Sequence, residues 1–197
     1  MTGRSRGRPR ETTHAAIRDV ARALFLRQGY AATSLQQVAD AAGISRTTLF
    51  HYFPAKRDLM ADEFDASVTR LRDALASSGD APVVPAMAGA IAAALRFARA
   101  EHDALALRWQ IVRGDDELRA DVALRTSDLA DLLVAHGRTR RPDADPELVR
   151  HVVDALLAVV VSATTRWADQ ARPAGDLDVY VTDRLAPFVE ALTPLLE

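Results

Sequence analysis

Residues 33–56 read TSLQQVADAAGISRTTLFHYFPAK, and their pattern decides the fold. Thr33 and Gln36 have the spacing of a helix-opening capping box, as do Ser34 and Gln37. Either choice leaves backbone N–H groups at a helix N-terminus, where a phosphate can sit. Leu35, Val38 and Ala39 make one inward face, and the small Ala39 and Ala42 let a second helix approach. Gly43 supplies a turn with positive φ, Ile44 fills the corner, and Ser45 caps a short helix over about 46–52. Leu49, Phe50 and Phe53 are assigned to the core. Arg46, Thr47, Thr48 and His51 are left facing outward. A helix, a glycine turn and a second helix with a polar outer face make a helix-turn-helix, whose second helix reads the major groove. On that reading Arg46 suits guanine O6/N7 and a threonine methyl suits the thymine methyl. Tyr52 and Lys56 are better placed for phosphates, which fix register. For any one of these residues the alternative is an ordinary solvated helix face.

Upstream, Thr12 or Thr13 can cap a first helix that runs to about Gln28 and stops at Gly29. Its Ile17, Val20, Ala21, Leu24 and Phe25 follow helical spacing and form one buried stripe. Ahead of it, residues 1–10 place Arg4, Arg6, Arg8 and Arg10 among Gly, Ser and Pro, a composition that builds no core. Arg8 and Arg10 are candidates for a basic arm that tracks phosphates or enters a minor groove; a solvated tail is the alternative. Charge supports the arm. Residues 1–60 carry ten Lys+Arg against four Asp+Glu, a formal +6, and residues 61–197 carry fifteen against twenty-three, a formal −8. A basic head on an acidic body points to a polyanion at the head alone. Lys56 is the only lysine among 25 basic residues, so the arginine count by itself is weak support.

The run from Gly29 to Ser45, continuing through Thr48-Leu49-Phe50-His51-Tyr52-Phe53-Pro54-Ala55-Lys56-Arg57-Asp58-Leu59, closely resembles the N-terminal domain of TetR-family transcriptional repressors. It matches in one uninterrupted register over roughly the first third of the chain. The resemblance implies that Thr33, Tyr52 and Lys56 hold phosphates while the third helix reads bases. The family often has glycine where Thr47 stands and histidine where Tyr52 stands, which puts the base preference in doubt. Domain limits follow: an arm over 1–10, a helix-turn-helix domain over 11–57 and a helical effector-binding and dimerisation domain over 58–197. The fold expected is all-α, with roughly nine helices.

Beyond the head, Pro54 suits the first turn of a fourth helix reaching about Ser77, with Leu59, Phe64, Val68, Leu71 and Leu75 inward. The resemblance makes this helix the lever between effector and DNA. Ser77 to Pro82 reads as a linker. Helices are then expected over about 85–101, 103–112 and 115–136, with Gly137 to Pro146 a polar loop. A helix over about 147–171 is apolar nearly all round between Val152 and Val161, apart from Asp154, and so needs burial on every side. A last helix over about 177–196 offers Val181, Leu185, Phe188, Leu192 and Leu195, with Pro187 expected to kink it. By resemblance these two helices build a homodimer, and a two-fold dimer suits a near-palindromic double-stranded operator. The alternative is an internal core helix in a monomer.

The resemblance also implies a small-molecule effector among the body helices, apolar or acyl-type. Arg108-Trp109-Gln110-Ile111 and Arg166-Trp167 faintly resemble regulators that respond to acyl-coenzyme A. Candidate lining residues are Met87, Trp109, His136, His151, Asp154 and Trp167, although Met87 and Trp109 are more often plain core. His151 and Asp154 lie three apart on one face, which could suit a metal or a ligand hydroxyl; the alternatives are that they pair with each other or an arginine, or face solvent or the dimer seam. No cysteine is present, which excludes a disulfide scaffold, a cysteine–zinc site and a thiol nucleophile. There is no glycine-rich phosphate loop, no HExxH and no G-x-S-x-G, so no catalytic residue, cofactor or metal is assigned. The N-terminus lacks a signal-like apolar region, and the apolar run near Ala155 to Ala163 is short for a membrane span. A cytoplasmic protein is the default. An architectural or recombination-type DNA binder without effector is the runner-up, and a helical enzyme the distant third.

Overall fold

The computed structural model describes residues 13–60, 62–170 and 175–197, leaving aside the side chains of Asp62 and Glu63. The arm with Arg8 and Arg10, the alternative cap Thr12 and the loop from Arg172 to Ala174 lie outside the described residues. Within them every regular element is helical: α1 (His14–Gln28), α2 (Leu35–Ala42), α3 (Arg46–Tyr52), α4 (Asp62–Ala76), α5 (Val83–Ala94), α6 (His102–Arg113), α7 (Asp116–Arg140), α8 (Pro146–Ala168) and α9 (Leu177–Leu192). The all-α expectation with nine helices is met among the described residues. The chain divides into two compact units, residues 1–60 and 61–197.

In the head, Thr13 caps α1 by accepting from Ala16 N–H at 3.2 Å. Ile17, Ala21, Leu24 and Phe25 are buried and Val20 half-buried, the stripe expected. Of the two possible capping boxes the chain uses Ser34 with Gln37, so α2 starts at Leu35. Gly43 ends α2 at φ 69° and ψ 29°, left-handed backbone that an L side chain rarely adopts. Leu49 and Phe53 are buried, but Phe50 is not: it is 38% exposed. Leu49 and Phe53 are the side chains of this segment that the head buries, alongside Ile17 and Val38 of α1 and α2.

The expected fourth helix does not start at Pro54. Pro54 and Ala55 form a bend, Lys56–Met60 make a 3-10 turn, and α4 proper runs from Asp62 to Ala76. The Asp58 carboxylate accepts from Ala55 N–H at 2.7 Å and fixes the bend. At 1.5 Å per residue α4 is about 22 Å long, shorter than the sequence suggests.

In the body, α5 stops at Ala94, well before the Glu101 expected. Arg70 on α4 explains the stop: its guanidinium donates to the Ala93 carbonyl at 3.2 Å and the Ala94 carbonyl at 2.9 Å, satisfying acceptors that a continuing helix would use. The opposite error occurs at Gly137, expected to break a helix but lying inside α7. A Cβ there would stand 2.7 Å from Met87 Cε and 2.8 Å from Val149 Cγ1. Glycine serves close packing of α5, α7 and α8, not a turn. Helix α7 ends a turn later, where Arg140 donates to Ala81 O at 2.9 Å.

Helix α8 is the body's central element, packing on α6, α7 and α9. It is long and apolar enough to cross a membrane by length and composition alone, contrary to the short run seen in the sequence; one face (Val149, Val152, Val153, Leu156, Val160, Ala163, Trp167) is buried within this body. It is not buried all round: His151, Asp154, Ala158, Val161 and Ser162 are exposed. In α9, which runs through Pro187, Val181 and Leu185 are buried as expected, whereas Phe188 is 45% exposed and Leu195, in the 3-10 turn Thr193–Leu195 that follows, is 49% exposed.

Candidate functional site

The outward face of α3 is built from three constraints. Ser45 accepts from Thr48 N–H at 3.0 Å and sets the helix start. Leu49 and Phe53 anchor one side in the core. What remains outside is Arg46, Thr47, Phe50 and His51, all exposed, with Thr48 half-buried. The Thr48 hydroxyl lies 2.7 Å from Ser45 Oγ, so both hydroxyls are engaged in the cap. The Arg46 guanidinium sits 5.3 Å from the centroid of the Phe50 ring, a cation–π contact on the surface. Together they form one compact cationic and aromatic patch. Phe50 was missed as a surface residue, because apolar type alone assigned it to the core.

The expected phosphate holders divide. Ser34 is exposed at the start of α2, its hydroxyl accepting from Gln37 N–H at 3.2 Å. Thr33 is turned inward. It is 1% exposed, donates to Gly29 O at 2.7 Å and accepts from Gln28 Nε2 at 3.1 Å. Its hydroxyl locks the α1–α2 connection and is spent there. Lys56 is likewise half-buried: Nζ donates to the Tyr30 carbonyl and lies 4.0 Å from the Tyr30 ring centroid. Tyr52 is half-buried, its ring edge-on to His14 at 4.7 Å. In this structure Thr33 and Lys56 serve the head's own packing.

Two of the body's concavities, which share a wall, bear on an effector. A partly enclosed cavity of about 130 Å³ lies among α4 to α8, walled by residues that include Leu71, Ile91, Leu105, Trp109, Leu129 and Leu157. An open groove of about 730 Å³ runs along α7 and α8 past Val122, Ala123, Asp154, Ala158 and Val161. Trp109, Val122, Thr126, Leu157 and Val161 belong to both walls.

Of the six candidate effector residues, only Trp109 reaches the inner cavity. Asp154 lines the outer groove. Met87 is fully buried against Gly137, and Trp167 is core, donating from Nε1 to Gly175 O at 3.3 Å. His151 is exposed on α8, and among the described residues no group of three His, Asp or Glu is placed to hold a metal. His136 is half-buried on α7 away from both concavities; burial, and then Arg140, push its imidazole pKa below the ordinary value. The sequence picked polar or large residues within apolar faces, but a cavity forms where faces fail to meet. Thr164, Phe64 and Phe97 line it and are not among the candidates, because residue type does not say which faces stay apart.

Residues 17–62 match the family described as bacterial regulatory proteins, tetR family. A Mycobacterium tuberculosis protein named "Putative mycofactocin biosynthesis transcriptional regulator MftR" is 39% identical over 69 residues, 35% of each chain. The HTH-type transcriptional regulator AcrR of Shigella flexneri is 36% identical over 61 residues, 31% of this chain and 28% of that protein. The chain thus matches about a third of these curated relatives' length. A TetR transcriptional regulator from Nitrosomonas europaea shares the fold over 90% of this chain and 96% of its own, at TM-score 0.53 and 17% identity.

Proposed function

The chain is a TetR-family regulator, a member of a family of regulators rather than enzymes, and from that premise we propose that it represses transcription as an effector-released homodimer on a palindromic operator. The observation that carries the reading is the outer face of α3. Arg46, Thr47, Phe50 and His51 stand exposed on a short helix held by a glycine turn at its start and by Leu49 and Phe53 behind. Such a face meets base edges in a major groove, with Ser34 and the first turn of α2 against phosphate. The cytoplasm is where it would meet chromosomal DNA.

Dimerisation is proposed through α8 and α9. Val161, Val179 and Phe188 on these helices, and Leu195 in the turn after α9, are large apolar side chains left exposed, and a second copy would cover them. The inner cavity among α4 to α8 supports an effector site, which favours a gated regulator over an architectural DNA binder. An effector shifts DNA binding only by preferring one of two body states. Selection of operators from random DNA tests the reading: one near-palindromic site is expected. Arg46→Ala should then lose preference at one symmetric pair of positions, by about 1–3 kcal/mol per contact. Recovery of no preferred sequence would overturn it.

A further inference from the structure

The walls of the inner cavity identify the chemistry of its ligand, an inference that rests on the proposed reading of the body as a sensor. Six threonines elsewhere in the chain's helices (Thr69, Thr126, Thr139, Thr165, Thr182 and Thr193) donate their hydroxyl to the carbonyl four residues earlier. That is the usual way for a helical threonine to satisfy itself. Thr164 does not. It is 2% exposed, lines the cavity, and its Oγ1 has no hydrogen-bond partner. A buried hydroxyl left in this way awaits a partner.

The charged groups on the same wall are already used. Arg125 donates to Asp121 at 2.7 Å and lies over the Phe64 ring at 5.0 Å. Arg108 also has a partner. Nearby, Arg70 caps α5 and lies over the Phe97 ring at 5.1 Å. Thr126, the other threonine of the wall, is bonded to Val122 O at 2.8 Å. An anionic head group would find its cations compensated, whereas one neutral hydrogen-bonding group would find Thr164. Volume sets the rest. At about 130 Å³ the inner space is close to an apolar cavity that holds one benzene ring, and it shares a wall with the open groove along α7 and α8.

We propose that the cavity binds a neutral, single-ring or similarly compact apolar molecule carrying one hydroxyl or like group, held by Thr164 Oγ1.

The experiment is calorimetric titration of the full chain, without DNA, with phenol, toluene, benzoate and 1-naphthol. Phenol should bind, with toluene, benzoate and 1-naphthol each at least about tenfold weaker, the loss of one hydrogen bond setting the scale for toluene. Thr164→Val, near-isosteric, should weaken phenol about tenfold and leave toluene unchanged or tighter. Ala94→Leu, which fills the cavity from a different wall, should abolish binding of all four. Circular dichroism of both variants shows that they are folded. Benzoate binding best, phenol binding untouched by Thr164→Val, or no binding by the folded parent would each overturn the proposal. A separate arm measures operator binding with phenol present. Phenol bound through Thr164 without change in operator affinity sustains the ligand class and sinks the release reading. Operator binding intact with no ring compound bound sinks the ligand class and leaves the DNA-binding reading standing.

Discussion

Gly43 and Gly137 show how one residue type is required for unrelated reasons. At Gly43 a Cβ would meet nothing within 4 Å, but φ is 69°. Gly43→Ala should therefore cost about 1–2 kcal/mol of backbone strain, seen as faster hydrogen exchange across the head, with Gly43→Asn milder. At Gly137 the backbone is ordinary helix and the side chains are the obstacle. Alanine gains about 1 kcal/mol in helix propensity but must displace Met87 Cε and the branched, fully buried Val149. Overpacking costs about 1–3 kcal/mol, so Gly137→Ala should lower the body's denaturation midpoint. Val149→Ala in the same chain should recover part of that loss, a coupling a double-mutant cycle would measure. Lys56 presents a sharper choice. A phosphate contact would give Lys56→Ala a salt slope for operator binding reduced by about one. Bonded to Tyr30 O and stacked on the Tyr30 ring, it is expected instead to cost about 1–2 kcal/mol of head stability and leave the slope unchanged.

At the scale of the element, α3 carries the face proposed to meet DNA, and Phe50 is its unanticipated member. Because Phe50 is exposed, Phe50→Ala should leave stability within about 0.5 kcal/mol, while weakening operator binding through loss of an apolar contact and of the ring that holds Arg46. Competition binding and a melting curve on one sample check both halves. The head was legible in the sequence because its signals are local. Capping residues, a turn glycine and 3.6-residue spacing placed α1, α2 and α3 within a residue or two. What stayed hidden was set by neighbours distant in sequence. Whether Leu49 or Phe50 is buried depends on how α3 docks on the rest of the head, which its own sequence does not state. Where α5 stops depends on Arg70, some twenty residues earlier, and Gly137 reads as a breaker until Met87 and Val149 are known to press on it. The cavity was the least legible feature, since it is defined by helix faces that do not touch.

At the scale of the whole molecule two properties are open to test, stability against pH and assembly. His136 is held below its ordinary pKa, first by burial and then by Arg140. Below the unfolded value of about 6.5 the unfolded chain binds the proton that the folded one refuses. Stability from this group is therefore intact above that pH and declines as pH falls toward the folded pKa. His136→Gln should flatten stability against pH in that window, as read from denaturation midpoints. Assembly is tested at Phe188. Its side chain is already 45% exposed in the single chain, so Phe188→Asp need not unfold the body. In a dimer joined through α9 it would bury a carboxylate, and a two-fold axis would repeat the cost on the partner copy. Analytical ultracentrifugation should find the parent dimeric and the variant monomeric, with matching circular dichroism. Operator affinity should fall by more than the tenfold scale of a single lost contact. A second head tethered to the first binds at high effective concentration, and its loss is worth on the order of 10²- to 10⁴-fold. A variant that stays dimeric and binds operator like the parent would move the interface away from the C-terminal half of α9, leaving the exposed face of α8 around Val161 to carry it.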